Sequence, residues 1–140
     1  MKGQSSAEML ILLAAIIITV TSILYLSMGS NESAVTMQAA RDGGGNAAAA
    51  MATDYGCLID VEGVSLTSGT ITINVAASNV PPEKFTWDNF RENIIKKNVR
   101  DGALRQIHNA LLGSFPATAE PVKTGYRTYD VTVQVRLVTR

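Results

Sequence analysis

From Met9 to Met28 the chain runs for twenty residues without a charge. At about 1.5 Å rise per residue, a helix of that length crosses the roughly 30 Å hydrocarbon core of a bilayer. Beyond it, Ser30 to Ala40 is polar with apolar positions at Ala34, Val35, Met37 and Ala40, a pattern that extends the helix out of the membrane. Gly43, Gly44 and Gly45 follow, and each costs a helix interior about 1 kcal/mol relative to alanine. They predict an interruption, after which Asn46 to Asp54 resumes as a short helix.

From Cys57 the period falls to two. Cys57, Ile59 and Val61 alternate with Asp60 and Glu62, and Ile71, Ile73 and Val75 alternate with Thr70, Thr72 and Asn74. These are half-buried strands, and Gly63 to Gly69 between them predicts a hairpin with a longer loop. Near the C-terminus Tyr129, Val131, Val133, Val135 and Leu137 alternate with Asp130, Thr132, Gln134 and Arg136, a third strand. Between the second and third, after Pro81 and Pro82, the residues Trp87, Phe90, Ile94, Ile95, Leu104, Ile107, Leu111 and Leu112 recur at helical spacing, with Asp101 and Gly102 as a predicted break. The expected fold is α+β: a long N-terminal membrane-spanning helix, then a small head of about three mainly antiparallel strands with a covering helix or helix pair. The boundaries are residues 4–54 for the helix, with its span at 9–28 and its interruption near 43–45, and 55–140 for the head.

Charge and chemistry narrow the function by exclusion. Twelve lysines and arginines balance twelve aspartates and glutamates, which leaves no electrostatic footprint for nucleic acid. The lone Cys57 has no intrachain disulfide partner and sits in an apolar string, where burial as a small hydrophobe is the expectation. His108 is also alone, so no zinc-ligand set is assembled in the sequence and no metal or cofactor is expected. Lys96, Lys97, Arg100 and Arg105 make one helix face basic, which reads as a solvated surface. Asn31, Glu32, Ser33 fits a glycosylation acceptor, although with eight asparagines in the chain about one such match arises by chance. No phosphate-binding glycine loop or nucleophile, base and acid set is present, and the expectation is a protein that is not an enzyme.

The segment before the span is more specific. Lys2, Gly3, Gln4, Ser5, Ser6, Ala7, Glu8 leads directly into Met9, Leu10, Ile11 and Leu12. A basic residue and glycine before glutamine, then Gln-x-Ser-x-Glu and the apolar run, resembles the class III signal peptide of archaeal type IV pilins. The resemblance covers roughly the first 28 residues. It implies cleavage by a prepilin peptidase between Gly3 and Gln4, removing a leader of residues 1–3 and making Glu8 the fifth mature residue. It further implies assembly through the apolar helix, with Gln4 and Glu8 as assembly residues and other pilin subunits as partners. The chain would lie in the cell membrane before assembly and in an extracellular surface filament afterwards.

Rival readings remain on the same residues. Ser5 and Glu8 also fit a capping box at a helix start. Ser27, Met28 and Gly29 form an acceptable small-x-small site for ordinary signal peptidase, although such signals carry a shorter apolar stretch of about 7 to 15 residues. An anchored extracellular binding or adhesion module that never polymerises is the functional alternative. Intact mass of the native protein separates these cases. The expected mature chain starts at Gln4; a start at Met1 removes the pilin-like processing, and a start at Ser30 assigns export to ordinary signal peptidase.

Overall fold

A computed structural model describes residues 2–80 and 86–138, with side chains from Ser5 onward. The chain divides into two compact units, Met1–Glu32 and Ser33–Arg140. Helix α1, Lys2–Tyr55, contributes to both. The remaining elements are β1 (Leu58–Thr67), β2 (Thr70–Ser78), α2 (Trp87–Asn89), a π-helical stretch (Phe90–Lys96), α3 (Lys97–Leu112), β3 (Val122–Lys123) and β4 (Thr128–Leu137). The fold is therefore α+β, a long apolar N-terminal helix followed by a small mixed sheet with a covering helix.

In the first unit every side chain from Ser5 to Met28 is exposed. Two of the polar residues inside the apolar run return their hydroxyls to the helix: Thr19 donates to the Ala15 carbonyl and Ser22 to the Ile18 carbonyl, each at 2.8 Å. Such back-bonding satisfies a hydroxyl without water, so neither residue opposes immersion in hydrocarbon.

In the second unit the sheet order is β1-β2-β4-β3. The β1–β2 and β3–β4 pairs are antiparallel, and β2–β4 is parallel. Ile71, Ile73, Val75 and Ala77 of β2 and Tyr129, Val131 and Val133 of β4 are buried on one face. The expected loop at Gly63 to Gly69 is much shorter than its composition implied. A bulge between Val61 and Gly63 absorbs the irregularity, and β1 continues to Thr67. The hairpin then closes through Ser68 and Gly69, whose φ of 50° and 82° supply the left-handed pair that a two-residue turn requires. A short fourth strand, β3, adds to the three expected.

The predicted interruption at Gly43 to Gly45 does not occur, because α1 runs through it. Along its second half Thr36, Ala39, Ala40, Gly43, Gly44, Ala48 and Met51 are buried, recurring at i, i+3 and i+4 on one stripe. The stripe is made of small side chains since other backbone lies close against it. A Cβ on Gly43 would stand 2.3 Å from the Gly102 carbonyl oxygen and 2.8 Å from Gln106 Cβ. A Cβ on Gly102 would stand 2.8 Å from the Gly43 oxygen and 3.0 Å from Ala47 Cβ. Propensity alone marks Gly43 and Gly102 as breaks, but tertiary packing overrides it, and α3 likewise continues across Asp101 and Gly102. The compact head unit thus begins at Ser33 and includes the second half of α1.

The covering helix is also adjusted to the sheet. Phe90 and Ile95, five residues apart, are both buried, and Val99, Ala103 and Ile107 follow at intervals of four. A π turn, with its i to i+5 bonds, stacks residues five apart and keeps Phe90 in line with the α-spaced positions after it. Phe90 meets Tyr55, the last residue of α1, edge to face at 5.4 Å. Helix α1 then ends at Gly56, with φ of 67° and its amide donating to Ala52.

Substitution at the three glycines separates packing from propensity. Gly43→Ala and Gly102→Ala are expected to lower head stability by about 1 to 3 kcal/mol, the range for overpacking a filled interior. Gly45→Ala, where a Cβ meets nothing within 4 Å, is expected to raise it by about 1 kcal/mol. Urea denaturation of the three variants measures this, and a loss at Gly45 equal to that at Gly43 would contradict the close approach.

Candidate functional site

Met9 to Met28 presents large apolar side chains on every side of α1, among them Leu10, Ile11, Ile16, Ile18, Leu24 and Leu26 at between 51% and 72% exposure. In water such a surface is unstable, since each buried aliphatic side chain is worth about 1.5 to 3 kcal/mol. The helix is long and apolar enough to cross a membrane, with a mean hydropathy of 2.7 in its most apolar window and none of that window buried within the chain. This is consistent with membrane association.

Glu8 stands on the exposed surface immediately before this band. Because α1 already begins at Lys2, Ser5 and Glu8 lie inside the helix, and the capping-box geometry is not formed. Gly3 and Gln4 are in the same helix by backbone; their side-chain environment, like that of Lys2, lies outside the described residues. Asn31 is exposed on α1 near the start of the head unit.

The other singled-out residues have structural roles. Cys57 is 2% exposed, its Sγ 3.9 Å from the Met51 carbonyl, and burial pushes its thiol pKa up, away from the reactive thiolate. His108 Nδ1 donates to the Ser114 carbonyl at 2.5 Å and fastens the loop after α3. The basic helix face is divided among separate partners. Lys96 pairs with Glu92 at 2.9 Å, Arg100 with Asp130 at 2.9 Å, and Arg105 donates to the Ala117 carbonyl at 3.2 Å. Among the described residues no three His, Cys, Asp or Glu side chains converge as a metal site would require.

One feature was hidden from sequence. On the sheet face away from the helices, Arg136 of β4 forms a two-pronged contact with Glu62, the bulge residue of β1, with Nε donating to Oε2 at 2.8 Å. The pair reaches across β2 beside an open groove of about 380 Å³ that Asn74 and Gln134 also line. Seventy-four residues separate the partners, and only the strand register brings them together. Hydrogen bonding from Arg136 lowers the Glu62 pKa, and the carboxylate raises that of Arg136.

No protein-family model, curated protein or solved structure matches this chain.

A depressed carboxyl pKa stabilises the fold at pH above its ordinary range, and that contribution is lost as pH falls through the lowered value. The melting temperature of Glu62→Gln is therefore expected to lie below that of the unaltered chain at neutral pH. The gap should narrow between neutral pH and about pH 2, as the pH falls below the unperturbed carboxylate value of about 4 and towards the lowered one. Thermal melts at the two pH values measure this, and an unchanged gap would remove the ion pair from the acid response.

Proposed function

We propose that this chain is a structural subunit of a type IV pilus-like surface filament, held in the membrane by Met9 to Met28 and assembled through the same helix. The observation that carries the reading is an apolar helix surface exposed on all sides. A lone span of this kind is covered by lipid, and a bundle of identical spans replaces lipid with helix without exposing apolar area to water. The small α+β head, with its own core, supplies the part that remains outside.

Glu8 gives assembly its polarity. A carboxylate within hydrocarbon costs about 2.5 to 3.5 kcal/mol on insertion scales, so a bundle must supply a cation. Cleavage between Gly3 and Gln4 creates one, an α-amine with an unperturbed pKa of about 7.7 to 8.0, available to Glu8 of a neighbouring subunit.

Glu8→Gln removes the charge and leaves the apolar span intact. Membrane-fraction abundance is expected to stay unchanged while the yield of sheared filaments falls at least tenfold, the effect of about 1.4 kcal/mol per subunit contact. Normal filaments from the variant would take Glu8 out of assembly. Absence of filaments from the unaltered chain, with normal membrane abundance, would establish an anchored module that does not polymerise.

A further inference from the structure

Along the open face of the sheet the polar residues change in kind at one place. The register of β2 and β4 sets Thr72 beside Thr132 and, two positions on, Asn74 beside Gln134. Threonine suits a strand, whereas asparagine is disfavoured in one, and β2 lies in the interior of the sheet. Both carboxamides are exposed. The β1 bulge falls at the same level. Gly63 is the partner of Asn74 and Val61 that of Val75, so Glu62 is the extra residue between them. A bulge re-aims a side chain, and this one brings Glu62 to Arg136 at the wall of the groove of about 380 Å³. Gly63 leaves the space beside Asn74 open, since an added Cβ there would meet nothing within 4 Å.

We propose that this groove binds a neutral sugar ring through adjacent hydroxyls. Each carboxamide offers an acceptor oxygen and two N–H donors, and each sugar hydroxyl both donates and accepts, so two amides side by side engage two neighbouring hydroxyls. Arg136 and Glu62 compensate each other's charge, which leaves nothing in the groove to select an ion, while the guanidinium keeps further N–H donors for a hydroxyl. An apolar ligand gains little here. Val75 is buried on the opposite face, and Val135 alternates with Gln134 to that same side. Nor is the groove a strand edge: β2 and β4 are paired to each other beneath it, so a peptide lying there could not extend the ladder. A neutral polyhydroxylated ring is the chemistry that the paired amides fit. Such a site serves the head whether or not the chain polymerises.

Saturation-transfer difference NMR on the full chain in phosphatidylcholine nanodiscs tests this, with the methyl α-glycosides of glucose, mannose and galactose as probes and empty nanodiscs as background. A shallow groove with few contacts predicts a Kd of about 1 mM, so probes at about 10 mM are expected to show saturated ring protons for at least one configuration. Asn74→Thr combined with Gln134→Thr removes both amides and favours the strands, and Gly63→Val fills the open space beside Asn74. Both variants are expected to melt no lower than the unaltered chain and to raise Kd at least tenfold. No saturation of any glycoside by the unaltered chain overturns the sugar site, as does an unchanged Kd in either variant. Glucuronate binding more tightly than the methyl glucoside would show selection by charge and overturn it. Saturation of a capped hexapeptide of glycine and serine, with no glycoside saturated, assigns the groove to peptide, which also overturns it. Binding that falls only in step with melting temperature would make the amides structural and refute the site.

Discussion

Gly43 of α1 and Gly102 of α3 bring two helix backbones to a separation at which a single methyl group has no room. The sheet, the covering helix and the end of α1 all take their positions from that crossing. Gly44 lies over Ile73 and Val99, within ordinary contact distance for an added methyl, so the same stripe also seats α1 on β2. With side chains this small, the core gains little from the area of α1 itself. It gains instead from close-packed contact between rigid elements, where many weak dispersion terms add. The larger residues, Phe90, Ile95, Leu104, Ile107 and Tyr129, then fill the space to either side.

This crossing also explains what could be read from sequence and what could not. The β2 and β4 faces were legible because alternation is a local signal: Ile71, Ile73, Val75, Tyr129, Val131 and Val133 are buried as their period required. The long apolar helix was legible from length and charge alone. Gly43 to Gly45 misled because glycine has two opposite uses, ending a helix or admitting a neighbour, and only the partner at Gly102 distinguishes them. The bulge at Glu62 and its contact with Arg136 depend on strand register over 74 residues, for which no local pattern exists. The π turn is intermediate, since Phe90, Ile94 and Ile95 all looked apolar and helical, but the choice of Ile95 as the buried member follows from the sheet beneath.

The candidate site divides in the same way. Glu8 and the band beside it are written into consecutive residues, while Glu62 and Arg136 are joined only by topology. Cys57 and His108, the two side chains with the most reactive chemistry, are committed to core and loop. Among the described residues, the exposed surface is apolar along the first half of α1 and polar, with the Glu62 and Arg136 ion pair, on the open sheet face.

Arg100 and Asp130 have a consequence of a different kind. The Asp130 amide donates to Gly69 on the β2 side, so the peptide groups of Val131 point to the opposite side, where β3 has already ended. There the Val131 amide donates to the Asp130 carboxylate at 2.8 Å, and its carbonyl accepts from Arg100 Nε at 3.2 Å. Side chains thus occupy the hydrogen-bonding positions at Val131 that an incoming strand would need. This is a guard against sheet-to-sheet fusion at that point of the edge, the route by which open strand edges seed aggregation.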